Sequence, residues 1–395
     1  MKVIHIIENI DESYGGPAKS VPFLCKYMQQ KGVDVSINSV KIKEYENNVI
    51  INDNQITWNN YKNNFSDFFK YSISFRKGLE NQIKEFSNII LHTQNQWTYQ
   101  SYCALKLSKK YNIPLICSVR GSMSPWALSQ YKYLKIMFWY MFQKRIFQKA
   151  DCIHCTTAQE AQFIRDRGIN TPIAVISNGV DLEEFNGVID KQVARKGLNL
   201  DVEKKNILFL SRIHKSKGLD ILIRAWSKLH ERYPDWNIIF AGPIEDSNYY
   251  EGIKTLITRY NLKSVKYLGI LKGRERIFAY NASSLFVSPT WSENFGISIA
   301  EAMASGIPVI TTKNAPWEIL EKESCGWWIN LHEEKLLKAL EEALSCDDLL
   351  LEKMGDKCRN IIYKDYSWEQ QAEKMIEVYK WLLGEVVKPS FVYTS

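Results

Sequence analysis

Ser292-Glu293-Asn294-Phe295-Gly296-Ile297-Ser298-Ile299-Ala300-Glu301-Ala302-Met303-Ala304-Ser305-Gly306 follows a short apolar run, Leu285 to Ser288. The run reads as a buried strand, and the quoted stretch as a loop and a helix opening near Gly296. A strand feeding a helix through a tight loop is half of a βα unit. The first amides of that helix, at Gly296, Ile297 and Ser298, lack partners within it and can receive a phosphate. Glycine at 296 lets the backbone come close to such a ligand. Glu293 stands before the helix. Glu301 lies about one and a half turns inside it, too far along to cap it but able to face the same crevice. On spacing alone, the pair reads equally as an acidic helix start followed by a salt-bridged surface glutamate.

Working outward, the same alternation fills the chain. Val3 to Ile7 reads as a buried parallel strand. Gly15 and Gly16 follow it in a turn, and Ala18 to Lys31 has helical character. Val33 to Val40, Ile89 to Leu91 and Pro114 to Val119 read as further strands, with a helix from Tyr99 to Tyr111. The alternation restarts with strands at Asn206 to Leu210 and Trp236 to Ala241 around a helix at Leu219 to Tyr233, and runs to Pro308–Thr311. Residues 41–70, rich in Asn and Lys, fit no element. The pattern predicts an α/β protein of two doubly wound parallel sheets. Their junction falls at Asn178-Gly179-Val180-Asp181, giving domains at 1–177 and 178–367, with a long aromatic helix from Trp368.

A length of 395 residues with 45% apolar and 24% charged side chains excludes disorder, collagen and coiled coil. No apolar run reaches the ~18 residues of a membrane span. The first charges come too early for a signal-peptide core, so a cytoplasmic chain is expected. Eight cysteines are too few for a disulfide framework and sit in apolar surroundings, which predicts buried free thiols. Cys152-Ile153-His154-Cys155 has no second pair, so no metal site is expected there.

Charge is unevenly placed. The net charge is +7, yet Phe86 to Ala150 holds nine Lys or Arg and no Asp or Glu. Such a segment should face an anionic partner. Its stretch Tyr131 to Phe147 is apolar nearly all round, and reads as a core helix or as an interfacial helix meeting anionic lipid. Arg212 and Lys217 follow the first strand of the second domain. There, at a strand's carboxyl end beside a helix start, two cations suit a diphosphate, although a solvated basic loop has the same composition.

Together these pieces resemble the retaining, nucleotide-sugar-dependent glycosyltransferases of family 4, whose GT-B fold sets two Rossmann-like domains around a central cleft. Glu293 and Glu301 look like the family's E-x7-E pair, and Arg212 and Lys217 like its diphosphate-binding Arg and Lys. Gly15 and Gly16 match its glycine loop, and Tyr366-Ser367-Trp368 its C-terminal crossing segment (368–395). The resemblance implies a donor site of Gly15, Gly16, Arg212, Lys217, Leu271, Glu293, Asn294, Phe295, Gly296, Ile297, Ser298 and Glu301. It gives Glu301 the ribose hydroxyls and Glu293 the donor hexose, and leaves open whether Glu293 is also a nucleophile.

Where several relatives have a catalytic histidine, Arg120-Gly121-Ser122-Met123-Ser124-Pro125-Trp126 resembles a subgroup making capsule or O-antigen polysaccharides. Arg120 then joins Arg212, Lys217 and Glu293 as a catalytic candidate. His92, Arg120 and Trp126 become acceptor-binding candidates, with a purely structural His92 as the alternative. No DxD motif is present, so no metal and no cofactor are expected; the donor is a UDP- or GDP-linked sugar. The expected partners are that nucleotide sugar, a saccharide acceptor carried on a polyprenyl diphosphate, and the anionic inner face of a bacterial membrane. A sugar-nucleotide epimerase would not need both the Arg–Lys and the Glu–Glu pairs. A nucleic-acid-binding protein would use the basic segment as a strand platform, whereas it reads as a helix, so no nucleic acid is expected.

Overall fold

The apolar run that begins the chain becomes β1 (Lys2–Ile6), and α1 (Gly16–Gln30) follows it. The computed structural model describes residues 1–9, 16–41, 56–64, 70–187 and 189–394. Next come β2 (Asp34–Lys41), β3 (Thr57–Lys62), α2 (Ile73–Glu85), β4 (Ile89–Thr93), α3 (Tyr99–Tyr111) and β5 (Leu115–Ser118). Ser72 caps α2 by accepting the Phe75 N–H at 3.1 Å, satisfying one of the amides a helix start leaves over. The stretch 41–70, which fitted no element, supplies β3 at a sheet edge. β3 is half-exposed and asparagine-rich, as an edge can afford to be, and carries little apolar signal.

The basic segment folds as α4 (Pro125–Ser129), α5 (Lys132–Phe138), a π-helical turn at Trp139–Gln143 and α6 (Lys144–Lys149). It is therefore not the continuous core helix that its composition allowed. The wider π-turn displaces the side chains, so Phe142, Ile146 and Phe147 are buried while Tyr133, Tyr140 and Met141 stand 65–85% exposed. β6 (Cys152–Cys155), α7 (Ala158–Arg165) and β7 (Ile173–Val175) complete this stretch.

The second unit starts with a 3-10 turn at Leu182–Phe185 and α8 (Lys191–Gly197). It continues through β8 (Lys205–Leu210), α9 (Leu219–Trp226), β9 (Trp236–Ala241), α10 (Ser247–Arg259), β10 (Val265–Tyr267) and α11 (Gly273–Asn281). β11 (Leu285–Ser288), α12 (Ile297–Ala304), β12 (Val309–Thr312), α13 (Ile319–Lys322) and β13 (Gly326–Ile329) follow, and then α14 (Glu333–Leu344) and α15 (Asp348–Asp365). The last four were not anticipated. Finally α16 (Trp368–Leu382) and β14 (Val392–Tyr393) return to the first unit.

The chain thus divides into Met1–Gly179 with Trp368–Ser395, and Val180–Ser367. In the second unit the sheet order is β10-β9-β8-β11-β12-β13, every pair parallel. Order reverses between β8 and β11, which makes that point the unit's ligand crevice by the rule for open α/β sheets. In the first unit the order is β14-β7-β6-β5-β4-β1-β2-β3, reversing between β4 and β1; among the described strands β14 alone is antiparallel. α1 and α16 cover one face, burying Val21, Leu24, Met28, Ala372, Met375 and Tyr379 against Val3, Ile90 and Ile116. All eight cysteines are free thiols, seven of them buried. Among the described residues no helix is long and apolar enough to cross a membrane.

Candidate active site

In the second unit the loops after β8 and β11, on either side of the reversal, are stitched together. The Trp291 N–H donates to Ser216 O at 2.9 Å, and Thr290 Oγ1 donates to the same oxygen at 3.2 Å. Gly218 sits at φ 69°, and a Cβ there would lie 2.1 Å from Pro289 O, so only glycine permits this approach. Lys217 Nζ reaches Glu293 Oε2 at 2.6 Å, joining the cation of one loop to the carboxylate of the other. Arg212 is half-exposed, and its Nη1 donates to both oxygens of Glu245 at 2.6 Å. Lys217, by contrast, is buried at 9%. Its short 3-10 turn (Lys215–Lys217) folds it under the β11 loop.

α12 opens at Gly296, φ 82°, and no side chain caps it. The amides of Ile297 and Ser298 therefore stand at a helix start with the positive end of its dipole behind them. A Cβ on Gly296 would lie 2.8 Å from Ile299 Cδ1 and 3.2 Å from Glu293 Cγ, so this glycine also makes room for the carboxylate. Asn294 N–H donates to Glu293 Oε1 at 3.2 Å. Phe295, expected to touch a donor, is buried against Trp317 and Tyr366, and its carbonyl accepts Trp317 Nε1 at 2.6 Å. It anchors the loop from behind. Leu271 is half-buried against the same apolar cluster.

Glu301 is not a surface residue. It is 4% exposed, ion-paired to Arg276 and hydrogen-bonded by Tyr280 Oη at 2.9 Å. Burial works against the Arg276 charge, but Glu301 and Glu184 outweigh it and push its pKa above the usual arginine value. Burial, then Glu301, raises the Tyr280 phenol, which stays a donor. These contacts, with Arg276 itself tied to Glu184, fix the orientation of the Glu301 carboxylate. Sequence reasoning missed Arg276, Tyr280 and Glu245. An Arg at Glu301 minus 25 carries no periodic signal.

In the first unit Gly16 is the exposed first residue of α1, whereas Gly15 lies outside the described residues. Arg120 follows β5 at φ 48°. Its Nε donates to Gln94 Oε1 at 2.7 Å, and its Nη1 to Ser20 Oγ at 3.0 Å and Asn178 Oδ1 at 3.2 Å. All these partners are neutral, and burial lowers its pKa to about 10, which leaves it charged at neutral pH. Trp126 is 40% exposed on α4.

His92, expected in acceptor contact, is fully buried, with Nδ1 2.8 Å from Tyr379 Oη and Nε2 2.7 Å from Ser118 Oγ. Its strand is central in a sheet covered by α16, so neither ring nitrogen is left for a substrate. It belongs to a row. Ser118 Oγ lies 2.7 Å from His154 Nδ1, and His5 packs 4.9 Å from His92 ring to ring. Burial, then Arg120, pulls His5 and His154 down to about 3, and burial takes His92 well below the usual value, so all three are neutral. Among the described residues no group of His, Cys, Asp and Glu is placed to hold a metal ion.

Two parallel-sheet units, one with cations and an uncapped helix start at its switch point, define a Rossmann-type ligand-binding protein. A family profile described as Glycosyltransferase Family 4 matches residues 14–184, and one described as Glycosyl transferases group 1 matches residues 190–368. Together they take in most of the chain, which belongs to these glycosyltransferases and has their GT-B fold. An uncharacterized glycosyltransferase of Methanocaldococcus jannaschii is 30% identical over 53% of this chain and 55% of its own length. The lipopolysaccharide core biosynthesis mannosyltransferase LpsB of Rhizobium meliloti is 26% identical over 61% of this chain and 69% of its own. The chain spans about half the length of the curated relatives it matches first.

Among solved structures, sucrose-phosphate synthase from Thermosynechococcus elongatus superposes with a TM-score of 0.80 at 21% identity, covering 98% of this chain and 100% of that one. Alr3699/HepE of Anabaena, in complex with UDP and glucose, does so at 0.75 and 17%, with the same coverage.

Proposed function

We propose that the protein is a retaining, metal-independent glycosyltransferase that moves a hexosyl unit from a nucleotide-diphosphate sugar to a saccharide acceptor. The observation that carries this reading is the Lys217–Glu293 contact at 2.6 Å, made beside the uncapped start of α12 at the sheet's reversal point. In this reading a donor diphosphate lies over the amides of Ile297 and Ser298, with Arg212 and Lys217 as its counter-charges. When the bond from sugar C1 breaks, its electron pair goes to the diphosphate, and those four groups meet the charge that develops. The acceptor hydroxyl bonds to C1 from the same face. Its proton passes to the departing phosphate oxygen, the base on that face.

Glu293, held by Lys217, orients the hexose, and Glu301, held by Arg276 and Tyr280, orients the ribose. Leu271, Asn294 and Gly16 flank the donor. Arg120, hydrogen-bonded to neutral Gln94, Ser20 and Asn178 with the Glu160 carboxyl nearby, meets an anionic part of the donor or acceptor, and Trp126 offers a face to a sugar. That HepE binds UDP and glucose supports a nucleotide-sugar donor, and the LpsB relative supports a bacterial surface saccharide as acceptor.

The acceptor is lipid-linked in this reading, and the protein works peripherally on an anionic membrane. Of eighteen large apolar residues exposed among the described ones, seven fall between Trp126 and Met141, beside Lys132, Lys135, Lys144 and Arg145. The test is a panel of nucleotide sugars scored for thermal stabilisation and slow hydrolysis. Binding at a hundredfold excess over Kd adds about 2.7 kcal/mol. A chain stabilised by none of them is no such transferase. Beside it, flotation on anionic vesicles should be lost when Lys132, Lys135, Lys144 and Arg145 become Gln, and should weaken with salt.

A further inference from the structure

The first unit holds a cavity of about 560 Å³ between the end of α3's preceding loop and the α4–α5 segment. Its size is that of a small-molecule site, typically about 300–1,000 Å³. Leu128, Ile136 and Trp139 give it apolar walls, and Lys132, Lys135 and Arg167 bring three cations to it. None of the three forms an ion pair with a carboxylate among the described residues; Lys135 donates to Ala127 O at 2.6 Å and Arg167 to Phe163 O at 2.6 Å. Burial lowers the pKa of both Lys135 and Arg167, the cost of cations held against an apolar wall, which the neighbouring Asp166 offsets only in part at Arg167. The stretch Phe86 to Ala150 supplies no acid at all. An apolar trough edged by unpaired cations complements a hydrocarbon chain ending in phosphate. Apart from Arg167, which lies between α7 and β7, the trough belongs to the same βα connections, after β4 and β5, that carry Trp97 and Arg120.

We propose that this groove is the docking site for the lipid carrier of the acceptor, one hydrocarbon chain lying along Leu128, Ile136 and Trp139 with its phosphate or diphosphate on Lys132, Lys135 and Arg167. The inference rests on the lipid-linked acceptor of the preceding reading and deepens it. A single carrier molecule is favoured over bulk lipid because the feature is a trough. Of the exposed apolar residues here, Tyr131, Tyr133, Met137 and Met141 lie outside it and would meet a flat membrane, whereas Ile136 and Tyr140 line it. The carrier's chain would thus leave the bilayer for the groove, and its saccharide end would start from the βα connections that hold Arg120.

The test is calorimetric titration of the full chain with farnesyl diphosphate, inorganic diphosphate and farnesol, beside flotation on anionic vesicles free of isoprenoid. Farnesyl diphosphate should saturate one site per chain, at least tenfold tighter than either of its parts. Ile136→Glu should weaken it tenfold or more without changing stabilisation by nucleotide sugar. Met141→Glu, outside the groove, should lower vesicle flotation and leave farnesyl diphosphate binding as it was. Binding no tighter than that of inorganic diphosphate, or unchanged by Ile136→Glu, overturns the assignment. If vesicles bind and farnesyl diphosphate does not, the groove falls while the membrane reading stands. If farnesyl diphosphate binds as described and no nucleotide sugar does, the groove stands and the transferase reading falls.

Discussion

Acidification should unfold the first unit before the second. His5, His92 and His154 lie buried and neutral across one sheet, facing Tyr379, Ser118, Gln94 and the charged Arg120. His5 and His154 have folded-state values near 3, against 6.5 in an unfolded chain. As pH falls below 6.5 the unfolded chain takes up protons that the folded one refuses. The stability these residues allow is therefore whole above that pH and is lost from there down towards 3. The slope is about 1.4 kcal/mol per pH unit for each histidine. Between neutral pH and pH ~5, His5 and His154 together remove about 4 kcal/mol, and His92 pulls in the same direction. That is a large share of the roughly 5–15 kcal/mol that holds a domain folded.

Hydrogen exchange read by peptide, corrected for the intrinsic pH dependence, separates the units within one molecule. Peptides from β1, β4 and β6 should lose protection over this range, while those from β8, β9 and β11 hold theirs. Equal loss in both units, or none in the first, would refute the assignment of three neutral buried imidazoles.

Arg212→Ala and Lys217→Ala should each cut turnover roughly a hundredfold or more. They should part in stability: Arg212 forms an exposed pair and its loss costs under about 1 kcal/mol, whereas removing buried Lys217 leaves Glu293 without its partner and costs about 1–3 kcal/mol in urea unfolding. Gly296→Ala should lower kcat more than it raises KM, because the added methyl crowds both Ile299 and Glu293 at a φ that alanine resists. An unchanged kcat would show that the backbone at 296 has no part in the chemistry. Turnover should survive excess EDTA; an absolute need for Mg²⁺ or Mn²⁺ would remove the case for cationic side chains as the only counter-charge.

Where a strand is buried on both faces, its apolar run names it, and β8, β9, β11 and α12 lie within a residue or so of where the pattern puts them. β13 escaped because Gly326-Trp327-Trp328-Ile329 is half-buried and short. α14 was legible and overlooked: Leu336, Ala339, Leu340, Ala343 and Leu344 are spaced for one helical face and all are buried. Pairings across the sheet were not legible. Nothing local says that Lys217 would be folded under Glu293, 76 residues on, or that His92 would meet a tyrosine 287 residues away. The π-turn at Trp139 likewise has no periodic signature, so a stretch apolar on every side could not announce which side would face water.

α16 and β14 bind the order of synthesis to the fold. A ribosome delivers β1 to β7 first, yet the helix that shares one face of that sheet with α1 arrives only after the whole second unit has been made. Until then Val3, Ile90 and Ile116 have no lid from the chain's end, and the histidine row lacks Tyr379. The second unit, continuous from Val180 to Ser367, can fold on emerging, and in doing so it shortens the path that the last helix must search. The late-made segment therefore acts as a clasp on the early-made one. A nascent chain stalled before Trp368 should expose the α1-side sheet face to chaperones while its second unit is already closed.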